Sequence, residues 1–256
     1  MASTTASRDI TTTMMAPTIT MTTTTTTDGS LGGAALYRLL AWLSPAYPVG
    51  AYTYSHGLET AVEDGAVTTR DALVGYIAIV LRAGAGRVDG ALLAAAWRAA
   101  DAGDDAALDE VASLAAAWRG TAETALESMA QGTAFTGVTQ SAWPEPRFAA
   151  FAARHPRALA HPVAFGAAAG FHGIALRPAV AGWLGAFAAN LVSAGVRLVP
   201  LGQTDGQVAT AALHPVVEAA ADAAMAADLD SLGTAAPMLD LLSMRHETQY
   251  TRLFRS

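Results

Sequence analysis

The sequence predicts an all-α protein: one antiparallel array of about ten helices, residues 31–256, behind a polar leader, residues 1–30. Three observations carry this. Alanine dominates the apolar content, and it combines the highest helix propensity with little hydrophobic area. From Leu31 onward the apolar residues recur at helical spacing, with no strand-like alternation of useful length. Proline and glycine cluster as breaks at Gly103–Asp105, Trp143–Pro146, His155–Pro156, Pro200–Gly202 and Gly233–Pro237.

The leader is mostly threonine from Thr11 to Thr27. It has little apolar surface to offset ordering entropy, so it reads as disordered. It lacks the apolar run of a secretory signal and, with only Arg8, the charge of a transit peptide, so a cytoplasmic location is expected. A short helix, Leu36–Leu43, comes next. Asp71–Leu81 sets Leu73, Ile77, Val80 and Leu81 on one stripe, with Thr68 or Thr69 as N-cap. Gly84-Ala-Gly86-Arg-Val-Asp-Gly90 is one residue too long for a dinucleotide fingerprint and follows no strand, so it reads as a helix break. Helical stripes follow at Val88–Ala100, at Leu108–Trp118 and from Leu176 through Val180, Trp183, Phe187 and Leu191 to Ala194. Within the last, the 18 residues Ala179–Val196 carry no charge. That length raises a membrane span, but alanine, glycine and Asn190 dilute it, and a core helix fits better.

Composition narrows the chemistry. The 256 residues are 52% hydrophobic and 14% charged, with a formal net charge of −7 and no cysteine. Disulfides, thiolate metal sites and cysteine nucleophiles are therefore excluded. The acidic balance argues against broad nucleic-acid binding, which needs a basic surface. All 15 cations are arginines. There is no P-loop. The six histidines form no H-x-x-x-H pair, and His246-Glu247 fails as a zincin motif because Tyr250 stands where the second histidine belongs. His161 and His172 lie eleven residues apart, about 16 Å along one helix, too far to share a metal. No metal ligand set and no cofactor is expected. The acids Asp101, Asp104, Asp105, Asp109 and Glu110 read as a solvated turn before a helix N-terminus.

Two stretches stand out. In Ser44–Glu59, two prolines and Gly50 force a rigid non-helical connection. Tyr47, Tyr52 and Tyr54 then cluster beside Ser55, a candidate N-cap, and His56, with Glu59 opening the next helix's polar face. A hydrolase would use Ser55 as nucleophile and His56 as base. Adjacent residues rarely turn their side chains to one another, however, and no G-x-S-x-G elbow surrounds them. A loop shaped for packing or for a partner fits better, and tyrosines suit an interface. The second stretch is Ser243–Ser256. Arg245, Arg252 and Arg255 oppose only Glu247 there, and Leu253-Phe254 end the chain with an apolar pair that needs cover. It reads as an anchor for another protein, or else as a tail packed onto its own domain. Between them, Val196–Gln207 reads as a helix end, a turn and a new start capped by Thr204 or Asp205.

Ser44–Glu59, His161-Pro-Val-Ala-Phe-Gly166, Arg197–Gln207 and Ser243–Ser256 resemble, in order, the motifs of the urease accessory protein UreF family. Asp101–Gln131 adds little to that likeness, and Thr53 stands where the family often has serine. The resemblance implies an all-helical, cytoplasmic, dimeric protein that is not an enzyme. It would bridge a UreD/UreH-type protein and the GTPase UreG while nickel enters apo-urease, and gate the GTPase. It assigns partner contact to Arg245, Tyr250, Arg252, Phe254 and Arg255, and less directly to Tyr47, Tyr52, Tyr54, His56 and Glu59. Nickel would be handled by the complex, with no tight site in this chain.

Overall fold

The computed structural model describes residues 1–2, 32–118, 120–157 and 159–255, so the threonine-rich stretch lies outside the described residues. The chain divides into Met1–Ser30 and a helical body, Leu31–Ser256. Among its described residues the body holds eleven α-helices, two 3-10 turns and no strand. The helices are α1 (Gly33–Leu43), α2 (Leu58–Glu63), α3 (Arg70–Ala83), α4 (Ala85–Ala102), α5 (Asp105–Ala117), α6 (Ala122–Ala142), α7 (Pro146–Arg154), α8 (His161–Phe171), α9 (Leu176–Leu198), α10 (Gln203–Ala226) and α11 (Pro237–His246). The all-α class expected from sequence is the class observed.

Helix α8 is the central rod. Every residue from Pro162 to Phe171 is buried, because its sequence is apolar on all sides. Its glycines set how closely the neighbours approach. A Cβ at Gly166 would overlap the Leu93 carbonyl of α4, and one at Gly170 would stand 2.8 Å from the Trp97 carbonyl oxygen. Gly132 of α6 plays the same part against the Leu159 carbonyl at the entry to α8. Large rings then fill what the alanines leave. Trp42 packs edge-on to Phe135 and Phe165, with centroids 5.6 and 5.9 Å apart.

Helix α9 is long and apolar enough by composition to cross a membrane, but half of that window is buried inside the protein. Its buried stripe includes Val180, Trp183, Leu184, Leu191 and Val192, the core-helix arrangement expected.

Local signals behave as their chemistry dictates, with two corrections. Thr69 caps α3 by accepting from the Ala72 amide, Asp104 caps α5, and Gly84 separates α3 from α4. The start of α10 is capped neither by Thr204 nor by Asp205: Gly202 holds the cap position, and Asp205 reaches back to accept its N–H. Nor is Ser55 a cap residue, since Gly57 precedes α2. Both His56 (φ +53°) and Gly57 (φ +74°) lie in the left-handed region, where histidine is one of the few tolerant side chains. Tyr76 donates its hydroxyl proton to the His56 carbonyl at 2.7 Å and holds this reversal in place. Glycine is required at 57 twice over, because α11 passes so close that a Cβ would lie 3.0 Å from the Ser243 nitrogen.

Candidate functional site

Helix α6 has no apolar stripe. Its buried face instead carries Glu123, Glu127, Ser128 and Gln131. The first two acids sit one turn apart, and each receives a histidine from one of the two unusual sequence segments.

Glu123 meets the C-terminal segment. His246, fully buried at the end of α11, stands between two carboxylates. Its Nδ1 lies 2.9 Å from Glu123 Oε2, and its Nε2 lies 3.0 Å from Glu59 Oε2. A neutral imidazole donates from only one nitrogen. Both nitrogens here face carboxylate oxygens, and with both acids ionised both donate, as an imidazolium does. Arg252 completes the group by donating to Glu123 Oε1 at 3.1 Å. Two anions then balance two cations, the condition under which buried charge is tolerated.

Glu59 holds the chain beyond α11. Its Oε1 accepts the Leu253 amide at 2.7 Å and its Oε2 the Phe254 amide at 3.0 Å. Around this centre Thr121 and Ser243 share a 2.8 Å hydroxyl contact, and Thr60 donates to Gln249. The Arg255 amide donates to the Thr53 carbonyl at 2.7 Å. The Phe254 ring lies 4.4 Å beneath the Arg197 guanidinium, which also donates to the Tyr52 carbonyl. The tail thus closes directly on the Ser44–Glu59 segment.

Glu127 meets that segment from the other side, accepting His56 Nε2 at 2.9 Å and Gln131 Nε2 at 2.8 Å.

The residues singled out from sequence therefore fall into three groups. Buried or engaged are Glu59, His56, Tyr54, Arg252 and Phe254. Arg245 forms a two-pronged pair with Asp64, Nη2 to Oδ1 at 2.8 Å, and holds that carboxyl below its ordinary range through the hydrogen bond. Half-buried Tyr47 donates or accepts with Thr139 at 2.8 Å, and burial raises its phenol despite that contact. Exposed are Tyr250, Tyr52, Leu253 and the side chain of Arg255. The terminal apolar pair, which needed cover from a partner or from its own domain, divides: Leu253 is 62% exposed and Phe254 4%. Phe254 is covered by this chain itself because the Glu59 carboxylate fixes its backbone inward. Ser55 is fully buried, its Oγ accepting the Glu59 amide at 3.5 Å.

Sequence reasoning passed over Glu123, Glu127, Gln131 and Arg197. The signal was present: Glu123, Glu127 and Gln131 recur at i, i+4 and i+8 in an otherwise alanine-rich helix. A polar stripe at that spacing marks one face as surely as an apolar one.

Fold and site together define a helical protein whose C-terminal segment is latched by buried charge onto its own N-terminal motif. Residues 67–214 match the UreF family model. A urease accessory protein UreF from Granulibacter bethesdensis is 66% identical over 227 residues, 89% of this chain and 96% of that protein. One from Rhodopseudomonas palustris is 52% identical over 224 residues, 88% and 94% of the two chains. A Bradyrhizobium relative is 50% identical over 223 residues, 87% and 92%. The chain belongs to the UreF family of urease accessory proteins.

Proposed function

We propose that this chain is a non-enzymatic adaptor of urease maturation in the cytoplasm. As a homodimer it joins a UreD/UreH-type protein to a UreG-type GTPase and positions the GTPase while nickel passes to apo-urease. The chain itself holds no tight nickel site and engages neither nucleic acid nor membrane. The observation that carries this reading is Tyr250 and Leu253. Both are large, exposed side chains on a segment whose backbone is fixed by buried charge. Fixing the segment beforehand lowers the ordering cost that binding otherwise incurs. Tyr52, also exposed, lies on the strap to which Arg255 is bonded and extends the same surface.

The decisive experiment separates contact from folding. Tyr250→Ala with Leu253→Ala leaves the latch intact and is expected to abolish co-purification with the UreD/UreH-type protein at unchanged helicity. Undiminished binding would overturn the reading. A chain ending after Tyr250 is expected to lose the same partner and, in addition, the Arg252 contact to Glu123 and the two main-chain amides on Glu59, while His246 still bridges both carboxylates.

Positional gating also predicts the fate of the arginines. Arg245 and Arg252 are committed to carboxylates, whereas the Arg255 side chain is exposed. Arg255→Gln is expected to leave partner-stimulated GTP hydrolysis within a few-fold. A fall of about 10³-fold with binding intact would instead identify an arginine finger.

A further inference from the structure

Beside the latch, the Ser44–Tyr54 strap, α6, α8 and α9 enclose a cavity of about 330 Å³, large enough for a small organic ligand. Its walls are mainly rings: Trp42, Tyr47, Tyr54, Phe165, Trp183 and Phe187. Tyr52 and Ser193, both exposed, mark its rim. Tyrosine and tryptophan carry a polar tip that usually finds a partner when the ring is buried. Tyr47 follows that rule, its hydroxyl lying 2.8 Å from Thr139 Oγ1. Its neighbours do not. Tyr54 and Trp183 are 4% and 6% exposed, and neither the phenol O–H nor the indole N–H is hydrogen-bonded among the described residues. The Trp42 indole N–H is buried without a partner among them as well. A buried donor left unpaired is costly, and three around one cavity mark a place where an acceptor belongs.

The same walls select the charge of the occupant. Among the described residues no arginine lines the cavity, so an anion would find no counter-ion there. The carboxylate on its wall, Glu127, is already taken by His56 and Gln131 at 2.9 and 2.8 Å, so a cation would find no free acid. An uncompensated charge in such surroundings is expensive. Flat aromatic walls favour a flat apolar body, stacked or edge-on to the rings. We propose that this cavity binds an uncharged aromatic molecule bearing a carbonyl group. The carbonyl oxygen, with two lone pairs, accepts from the Tyr54 hydroxyl and the Trp183 indole, and the ring fills the apolar remainder. The proposal stands apart from the docking of Tyr250 and Leu253 and does not depend on it.

Ligand-observed NMR titration of the full chain tests it. The probes share one outline: 2-acetylnaphthalene, 2-isopropylnaphthalene, 2-naphthoate and 2-naphthylmethylammonium. The ketone is expected to bind saturably, and each ion at least about tenfold more weakly. Tyr54→Phe keeps the ring and removes only the hydroxyl. It is expected to weaken the ketone about three- to tenfold and to leave the hydrocarbon unchanged. Ala186→Phe, which fills the cavity from α9, is expected to abolish binding of both neutral probes at unchanged helicity. The proposal is overturned if the ketone does not bind, or if either ion binds as tightly as the ketone. It is overturned equally if ketone affinity is unchanged in folded Tyr54→Phe, if that variant weakens both neutral probes alike, or if folded Ala186→Phe still binds the ketone.

Discussion

At the scale of single residues, His246 and His172 show the same side chain under opposite constraints. His246 is held between Glu59 and Glu123, and replacing it leaves two buried carboxylates facing each other across Arg252 alone. His246→Gln is expected to cost about 3–5 kcal/mol in urea denaturation, the range for breaking a buried ion pair from one side. His172, at the C-terminal cap of α8, is the reverse case. Burial, and then the nearby Arg38, hold its imidazole below the ordinary histidine range. As pH falls through about 6.5 the unfolded chain takes up that proton before the folded one does. The unfolded state then binds more protons, so stability is full above that range and declines below it. His172→Gln should remove this part of the acid-side loss, which chemical denaturation at pH 5 and pH 8 would reveal.

At the scale of elements, the periodic stripes marked the helices that bury large side chains, and the glycine-proline breaks marked their ends. Helix α6 was opaque because its inward face is polar, and alanine around that face leaves no contrast for an apolar pattern. The caps at α2 and α10 were misplaced for a related reason. Serine, threonine and aspartate all qualify by type, and only the backbone path decides that glycine takes the position. Helix α10 also runs through Pro215, which no local rule anticipates, because tertiary packing outweighs the missing N–H. Glycine sets several of the closest helix contacts. Gly166→Ala is expected to lower stability by at least about 1–3 kcal/mol, because the added methyl meets a main-chain oxygen that cannot turn away. Gly137→Ala in α6, where a Cβ meets nothing within 4 Å, should be neutral or mildly stabilising when the two variants are compared in thermal melts.

At the scale of the whole molecule, the two segments most unusual in sequence meet in space, although nearly 190 residues separate Glu59 from His246. Their unusual composition was legible, and their family likeness identified the chain. Their mutual contact was not legible: Glu59 meets His246 and the tail amides directly, and Glu123, which completes the cluster, lies in the stretch that offered least to read. Of the terminal apolar pair, Phe254 takes the second of the two readings the sequence left open and packs onto its own domain beneath Arg197, while Leu253 stays exposed.

One contact within the latch reaches beyond its energy. Glu59 grips the tail through the main-chain amides of Leu253 and Phe254, not through their side chains. A grip on the backbone is blind to which residue sits there, but it counts how many precede it. The seven-residue interval from His246 to Leu253 therefore works as a ruler. Substitutions at the exposed Thr251 and Leu253 should leave the tail seated. One alanine inserted after Tyr250 would slide Phe254 out of its socket and move Arg252 off Glu123, and limited proteolysis should then release the last residues first.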